Sequence, residues 1–405
     1  FGAIGTRGGG ATACGITNRF GFFDNRGAPG NPDEEARIIV DDVLTAGLGT
    51  AEPYLVDLLV QDRFAARRDL ERWGLVLTKS NPVSDIRRET LPMPGMAYVA
   101  RGMGVQIQDH TMVTDLLIQD GACVGAVGLD EESKTYIFKA ATTIMATGGN
   151  ARLYMFNCHP NCVTGDGYAM GYQAGAELMN MEFMQIFLAT TFPNTNLVGH
   201  NFLRQHPKFT NAQGREFVQD YLPSGCDLKK ATDQRALHNP YSTRDKCSRY
   251  IDVGMTKETV AGRATEHKGL YVHMPRPEEV PLDNREWLEF RGVDMGRPME
   301  VNTVHQCSNG GFRIKGHGET TIPGLYGIGE AATGYHGADR LGGHMMACSQ
   351  VFGLRAGLHA AAAAKKSGPP SVKDDVAKAA LERIESMRKS KGGVKPAETT
   401  RRLAQ

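Results

Sequence analysis

Residues 142–149 read TTIMATGG, a short β-branched and apolar run that passes directly into two glycines. Such a run is typical of a buried strand, and glycine lets a ligand approach the backbone closely. In open α/β sheets, ligands bind at the carboxyl ends of strands. The stretch therefore predicts an α/β fold with a binding site beside Gly148 and Gly149.

A second stretch, residues 324–334, reads GLYGIGEAATG and predicts a short strand, a glycine turn and the start of a helix. The N-terminus of a helix favours anionic groups such as a pyrophosphate. Taken alone, the pattern fits a tight strand-to-helix turn without a ligand equally well. Its order relative to other motifs therefore decides between the two interpretations.

Periodicity divides the rest of the chain into helical and strand-rich parts. Apolar residues recur every three or four positions in 34–47 and 52–74, which predicts two amphipathic helices. Short alternating runs between 104 and 146 predict an antiparallel meander that ends in a buried strand. Residues 194–300 are richer in proline, histidine and charge, and they indicate an inserted second domain.

The composition excludes several classes of protein. The 405 residues carry 46 Lys and Arg against 45 Asp and Glu, a formal charge of +1, which leaves no excess positive charge for nucleic acid. No apolar run approaches the ~18 residues of a membrane span, so we expect no direct membrane insertion and a cytoplasmic location. Eight thinly spread cysteines are typical of reduced thiols. The motif CHPNC at 158–162 lacks a second pair of ligands for zinc, so we expect no metal.

Four motifs occur in an order that resembles one enzyme family. They are MATGGNARLY at 145–154, TGDGYAMGYQAGAELMNMEFMQ at 164–185, STRDKCSRYI at 242–251 and GLYGIGEAATGYHGADRLGG at 324–343. This ordered set resembles the flavoprotein subunit of the succinate dehydrogenase and fumarate reductase family, which includes L-aspartate oxidase. The resemblance implies an α/β fold in which a Rossmann-like flavin-binding domain is interrupted by an inserted α+β capping domain.

The resemblance also implies domain limits. The flavin-binding domain covers residues 1–190 and 304–366, the capping domain covers 191–303, and a solvated linker with the start of a C-terminal helical region covers 367–405. Because the chain begins inside a glycine-rich loop, we expect a fragment that lacks the N-terminal βαβ unit of the family.

FAD is the cofactor that the resemblance implies, and we expect it to be noncovalent because no histidine lies near the glycine cluster at 1–10. Glu330 resembles the acidic residue that closes the flavin-binding glycine motif of the family. Asp166 is either a cofactor ligand or the N-cap of the helix that follows it. The implied cofactor-binding residues are Gly8, Gly9, Gly10, Ala11, Thr147, Gly148, Gly149, Asp166, Gly329, Glu330 and Arg340.

The implied catalytic residues are Arg244, His305 and Arg340. Arg340 and His305 resemble the pair that binds a substrate carboxylate, since a guanidinium can donate two parallel hydrogen bonds to it. Arg244 resembles the residue that delivers or removes the substrate proton. Because a guanidinium has five donors and no acceptor, Arg244 needs a neighbouring carboxylate as a relay. Asp245 is too close in sequence to decide that relay, and in isolation Arg244 fits a surface ion pair as well.

Two departures from the family pattern concern the substrate. Phe187 stands where the family usually has a histidine, and residues 200–204 correspond to its Thr-Glu-x2-Arg pattern, so an imidazole replaces a hydroxyl. Each lost buried hydrogen bond costs about 1–3 kcal/mol. A larger, partly apolar substrate with one bound carboxylate fits these changes better than succinate or fumarate. The implied substrate-binding residues are His200, Arg204, Phe187 and His336, the last of which fits a structural role equally well.

The implied activity is hydride transfer between flavin N5 and a carboxylate-bearing substrate, with proton transfer by Arg244. The implied partners are a small carboxylate and an electron-transfer subunit that would also bring the chain to a membrane. Two alternatives stay open: amino-acid oxidation of the L-aspartate oxidase type, and a non-catalytic scaffold subunit with the same fold. Retention of both Arg244 and Arg340 argues against the scaffold.

Overall fold

The structure is a computed structural model that describes residues 31–79, 92–238, 241–390 and 392–404, with the backbone of two strands at 19–22 and 84–87. The helices are α1 Pro32–Ala46, α2 Pro53–Arg72, α3 Pro92–Gly102, α4 Asp166–Gln173, α5 His200–Leu203, α6 Val218–Tyr221, α7 Leu228–Leu237, α8 Arg249–Val260, α9 Leu282–Phe290, α10 His344–Ser367, α11 Asp374–Lys389 and α12 Pro396–Ala404. The strands are β1 Arg19–Phe22, β2 Leu77–Lys79, β3 Ser84–Arg87, β4 Thr111–Gln119, β5 Ala122–Asp130, β6 Thr135–Lys139, β7 Thr143–Met145, β8 Leu178–Met179, β9 Met184–Thr190, β10 Lys208–Thr210, β11 Leu270–His273, β12 Met299–Ser308, β13 Gly311–Arg313, β14 Leu325–Gly327 and β15 Ala332–Thr333.

The two predicted amphipathic helices are present as α1 and α2. Helix α1 begins after Asn31, whose side chain accepts hydrogen bonds from the N–H groups of Asp33 and Glu34. The apolar faces of both helices are buried together with the first half of α10. This first core, which removes a large apolar area from water, contains Ile39, Val43, Leu55, Leu59, Phe312, Val351 and Phe352.

The two stretches that predict the binding site lie on neighbouring strands. Strand β7 pairs in parallel with β14, so that Met145 faces Gly327 in the ladder. Their carboxyl ends therefore meet at one edge of the sheet. The predicted meander is also present, since β4, β5 and β6 pair as an antiparallel sheet. The strand at its end is buried at Met145, whereas Ile144 is 37% exposed, so only one side of it is covered.

A second core lies in the middle of the chain. Strands β10, β11, β12 and β9 form one antiparallel sheet in that order, and its apolar cluster runs from Leu188 to Val301. The first core contains Met170 before this interval and Phe312 after it, which is the pattern of an inserted domain. Strand β12 crosses the predicted limit at residue 303, so the domain limits stay a prediction.

Two of the predicted elements are wrong. After β14 the chain makes a 3-10 turn at Gly329–Ala331 and continues into β15 instead of a helix. The reason is non-local, because Ala332 pairs in parallel with Phe312 of β13. The C-terminal region is also not wholly solvated, since Ile384 of α11 is buried against Leu117 of β4.

The expectation of reduced thiols is wrong for one pair of cysteines. Cys226 and Cys247 form a disulfide, with their Cα atoms 5.8 Å apart, within the usual range for such a bond. The pair joins the loop before α7 to the loop before α8, which are separate in sequence but adjacent in space. Among the described residues the free cysteines are Cys123, Cys158, Cys162, Cys307 and Cys348.

Candidate functional site

Arg340 lies in the loop between β15 and α10 and is only 5% exposed. Its Nε donates to Cys307 Sγ at 3.2 Å, and its two terminal nitrogens donate to Gln306 Oε1 at 2.7 Å and to the carbonyl of Leu341 at 2.8 Å. Burial raises the pKa of the Cys307 thiol to about 11, so that it is uncharged at neutral pH. The guanidinium is therefore held rigidly by neutral groups.

His305 precedes these partners on β12 but faces a different set of groups. Its ring stacks on Tyr154 with the centroids 4.5 Å apart, and its Nε2 lies 3.5 Å from Ser308 Oγ. Burial, assisted by the nearby His159, lowers the pKa of His305 to about 3, so the ring is neutral. Its role with Arg340 stays a prediction, because the side chain that contacts Arg340 is that of the next residue, Gln306.

A β-bulge explains this arrangement. The pairing of β12 with β9 shifts register between His305 and Cys307, and an extra residue in a strand redirects side chains. Gln306 and Cys307 consequently both meet Arg340, while His305 remains against Tyr154. Sequence reasoning singled out neither partner, since no local signal marks a bulge.

Arg244 lies in the loop that precedes α8, and its side chain is 32% exposed. Its Nε donates to Asp339 Oδ2 at 3.0 Å and to Ser242 Oγ at 3.0 Å. Asp339 is itself only 6% exposed. The neighbouring Asp245 instead contacts His238 at 2.8 Å and accepts from Ser248. The carboxylate beside Arg244 is thus Asp339, not its sequence neighbour.

Gln185 connects the two arginine-bearing segments. Its Nε2 donates to Asp339 Oδ1 at 3.3 Å, and its Oε1 accepts from the backbone N–H of Arg340 at 3.0 Å. The residue is 1% exposed and closes the MEFMQ stretch on β9. Arg244 and Arg340, which are 96 positions apart in sequence, therefore converge on one network. We call the set of Arg244, Asp339, Gln185, Arg340 and Gln306 the arginine cluster.

The glycine loop after β7 offers groups that a cofactor could use. Gly148 has φ +74°, and a Cβ there would meet open space, whereas a Cβ at Gly149 would overlap Glu330 Oε1. The hydroxyl of Thr147 is buried and has no hydrogen-bond partner among the described residues. Glu330 Oε1 also accepts from the N–H of Ser308 at 2.8 Å, which ties this loop to the end of β12. An unpartnered hydroxyl beside an open left-handed glycine fits a polar ligand lying along this loop.

The other predicted cofactor residues have mixed positions. Asp166 is the first residue of α4, whose N-cap is Gly165, so the alternative interpretation of Asp166 as N-cap is wrong. Its side chain accepts from Thr164 and lines a cavity of about 440 Å³ between β4, α4 and α11. Gly329 has φ +59° in the turn after β14. Residues Gly8, Gly9, Gly10 and Ala11 lie outside the described part of the chain.

The predicted substrate-binding residues are dispersed over the fold and remain predictions. Phe187 is buried in an apolar cluster with Cys158 and Val304. His336 is buried, with its ring 4.5 Å from that of Tyr335, and burial holds its pKa well below the usual value. His200 opens the short helix α5, and Arg204 is exposed at its C-terminal end.

The cysteine and histidine residues of CHPNC make ordinary contacts. Cys158 Sγ donates to the carbonyl of His305 at 3.4 Å, and His159 contacts the carbonyl of Gln306. A different group of ligand-type atoms, from His336, His344 and Cys348, lies within 4.8 Å of one another behind the Arg340 loop. Burial lowers the pKa of His344 to about 3, with the charge of Arg340 adding to the effect. In the described part of the chain, no helix has the length and apolar character needed to cross a membrane.

Comparison with known proteins gives a consistent result. The FAD binding domain family matches residues 22–345. A subunit of the fumarate reductase (CoM/CoB) of Methanothermobacter marburgensis is 29% identical over 400 residues, which cover 91% of this chain and 69% of that protein. The fumarate reductase flavoprotein subunit of Haemophilus influenzae is 29% identical over 390 residues, or 87% of this chain and 63% of that protein. The chain thus spans roughly two thirds of the length of these relatives.

Solved structures show the same fold. The E. coli quinol fumarate reductase aligns with a TM-score of 0.74 and 22% identity, covering 96% of this chain and 70% of that one. Mycobacterium smegmatis Sdh1 aligns with a TM-score of 0.76 and 21% identity, covering 97% of this chain and 70% of that one. The predicted flavin-binding α/β fold is confirmed by these likenesses.

Proposed function

The chain belongs to the FAD binding domain family, with FAD as its cofactor, and from that premise we propose that it is an oxidoreductase of the fumarate reductase and succinate dehydrogenase type. The observation that carries the proposal is the arginine cluster. Arg244 and Arg340 are joined through Asp339 and Gln185, with each contact at 3.0–3.3 Å. Two guanidinium groups in one network suit a substrate that needs both a bound carboxylate and a proton donor.

Arg340 is the carboxylate-binding group in this proposal. A guanidinium carries five N–H donors, and three of them are used by Cys307, Gln306 and Leu341. The remaining two lie one on each terminal nitrogen, which is the arrangement that a carboxylate accepts bidentately. His305, neutral because burial lowers its pKa to about 3, adds a hydrogen-bonding ring near the same strand but no second positive charge.

Arg244 is the proton-transfer group. Its Nε is occupied by Asp339 and Ser242, while its terminal nitrogens have no ion-pair or hydrogen-bond partner in the part of the chain that the structure describes. FAD, when bound, supplies or accepts the hydride. The terminal N–H groups of Arg244 would then give a proton to the neighbouring substrate carbon, or take it up in the reverse direction.

The residues around the glycine loop fit FAD. Thr147 has a buried hydroxyl without a partner among the described residues, and Gly148 leaves open space where a side chain would otherwise stand. We propose that these two residues and Gly149 hold the cofactor, with Glu330 fixing the loop through its contact with Ser308. Noncovalent binding is part of the same proposal.

The substrate is proposed to carry one bound carboxylate and an apolar remainder. Phe187 is buried among apolar side chains, where a histidine would have offered a polar contact. A second substrate carboxylate would need another cation, and of the two arginines in the cluster, one is used for the proton. We further propose an electron-transfer partner and a cytoplasmic location, with any membrane association through that partner. The relatives are named as subunits, which supports a partner.

The test is single-turnover oxidation of the reduced holoenzyme by a panel of unsaturated acids. Fumarate, crotonate and cinnamate differ in their second substituent, so the order of their rates reports the second half of the pocket. We expect the monocarboxylates to react faster than fumarate. A purified protein that carries FAD and is oxidised by no unsaturated acid would refute the proposed activity, and one that binds no FAD would support a scaffold.

A further inference from the structure

The strongest unassigned group in the molecule is the carboxylate of Asp339. It is 6% exposed and lies in the loop between β15 and α10. Its Oδ2 accepts from Arg244 Nε at 3.0 Å and from the hydroxyl of Ser242, and its Oδ1 accepts from Gln185 Nε2 at 3.3 Å. A buried carboxylate costs free energy unless such donors surround it, so both of its oxygens are engaged by the cluster.

The contact joins two parts of the fold. Ser242 and Arg244 belong to the interval between Leu188 and Val301, whose side chains build the second core. Asp339 belongs to the loop that follows β15, next to the first core. The orientation of Arg244 over the site therefore depends on a carboxylate that its own domain does not supply.

Other candidates for this role are occupied. Asp245 accepts from Ser248 and contacts His238 at 2.8 Å, and hydrogen bonds from both, working against burial, lower its pKa. Its carboxylate holds the turn that begins α8, where it also accepts from the backbone N–H of Cys247. Asp339 is the acidic side chain that contacts Arg244 in the described residues.

We propose that Asp339 is the positioning residue of the site: it holds Arg244 by Nε and so directs both terminal nitrogens toward the substrate. This rests on the proposed function. Since Arg340 is the next residue in the chain, the Asp339-Arg340 pair fixes the proton donor and the carboxylate-binding group from a single loop. The distance between them is then set by one peptide unit and not by the relative placement of two domains.

The first experiment compares Asp339→Asn with wild type in steady-state turnover of the holoenzyme. Asparagine keeps the shape but loses the charge that accepts from Arg244. We expect kcat to fall about 10- to 100-fold, the cost of a misplaced reacting group, with KM for the best acid of the panel within about threefold of wild type. The solvent deuterium isotope effect on kcat should increase, because proton transfer becomes slower than the other steps.

Two further variants separate positioning from general stability. Ser242→Ala removes a neutral donor to Asp339, and a smaller loss of kcat in the same direction is expected. Asp62→Asn removes a carboxylate from a different ion pair, with Arg355, and should leave both kinetic constants unchanged. A rise in KM equal to the loss in kcat, with the isotope effect unchanged, would overturn the proposal.

A second readout does not depend on turnover. In hydrogen exchange of the resting protein, Asp339→Asn should accelerate exchange of peptides covering residues 241–248 while peptides from α2 stay protected. Unchanged exchange in 241–248 would refute the positioning role even if the protein had no activity on any acid tested. Failure of the proposed function is recognised separately, by an inactive wild type whose exchange pattern still responds to the substitution.

Discussion

The two arginines of the cluster are held in different ways. Arg340 is 5% exposed and donates to three partners on β12 and its own loop. Arg244 is 32% exposed, and the described residues hold it only at Nε, through Asp339 and Ser242. The first arrangement is rigid before any ligand binds, whereas the second depends on contact between two parts of the fold. A binding group and a proton donor in one site thus have different structural supports.

The largest expected effect is at the less firmly held arginine. Arg244→Ala removes the only proton donor that we assign, so kcat should fall by well over 10²-fold. The substituted side chain is partly exposed on a loop, and FAD absorbance should be retained. Single-turnover rates with the panel of acids measure the change.

Lys246→Ala is the matched control for this prediction. Lys246 lies two positions away on the same loop, and its Nζ donates to the carbonyl of Ser224. Its removal should leave the rate nearly unchanged. An Arg244→Ala enzyme that stays within a few fold of wild type would end the distinction between the two arginines.

A smaller effect is expected at the rigid arginine. Arg340→Lys keeps the charge but loses the planar fork that binds a carboxylate through two hydrogen bonds. We expect KM to rise about 10- to 100-fold, equivalent to about 1.4–2.8 kcal/mol, with a lesser change in kcat. Initial rates over a range of acid concentrations separate the two constants. If kcat falls while KM is unchanged, Arg340 does not bind the ground-state carboxylate.

More of the fold than of the site contacts could be predicted from the sequence. The strand and glycines at 142–149 were predictable because periodicity and glycine content are local signals, and the parallel pairing of β7 with β14 agrees with them. The helix expected after Gly329 is absent from the described turn, since the pairing of β15 with β13 is a contact between distant segments. Local propensity does not contain such a contact.

The same limit explains what was missed in the site. Arg244 and Arg340 were identified through motifs, but their partners depend on three-dimensional placement. Gln306 reaches Arg340 because of a β-bulge, and Asp339 reaches Arg244 across 95 positions of sequence. Asp339 and Gln185 lie inside quoted motifs, so the sequence contained them without marking their roles. The Cys226–Cys247 disulfide was missed for the same reason.

A pH prediction tests the neutral surroundings of the Arg340 side. The pKa of His305 is lowered to about 3, chiefly by burial and then by His159. Between about pH 6.5 and 3 the unfolded chain therefore binds a proton that the native state does not, so stability falls as the pH drops below 6.5. At pH 5 the loss from this one group is about 2 kcal/mol.

His305→Gln should weaken this acid dependence. Urea unfolding of wild type and variant at pH 7.5 and pH 5 measures the difference, and the variant should lose less stability between the two values. His336 and His344, whose pKa values are also lowered by burial, should keep some acid dependence in the variant. An identical loss of stability in both proteins would mean that His305 is protonated in the native state.

The smallest expected effect concerns the preorganisation of Arg340. Gln306 Oε1 accepts from one terminal nitrogen of Arg340 at 2.7 Å, and Gln306→Ala removes that support while leaving Cys307 and Leu341 in place. One hydrogen bond to a charged group is worth about 1.5–3 kcal/mol, but water can replace the lost acceptor. We therefore expect KM to rise only about three- to tenfold with kcat preserved. Gln219→Ala, which removes an exposed glutamine paired with Glu216, serves as control. A loss of kcat without a rise in KM would show that Gln306 supports the proton transfer instead, and the contrast between the two arginines would have to be drawn differently.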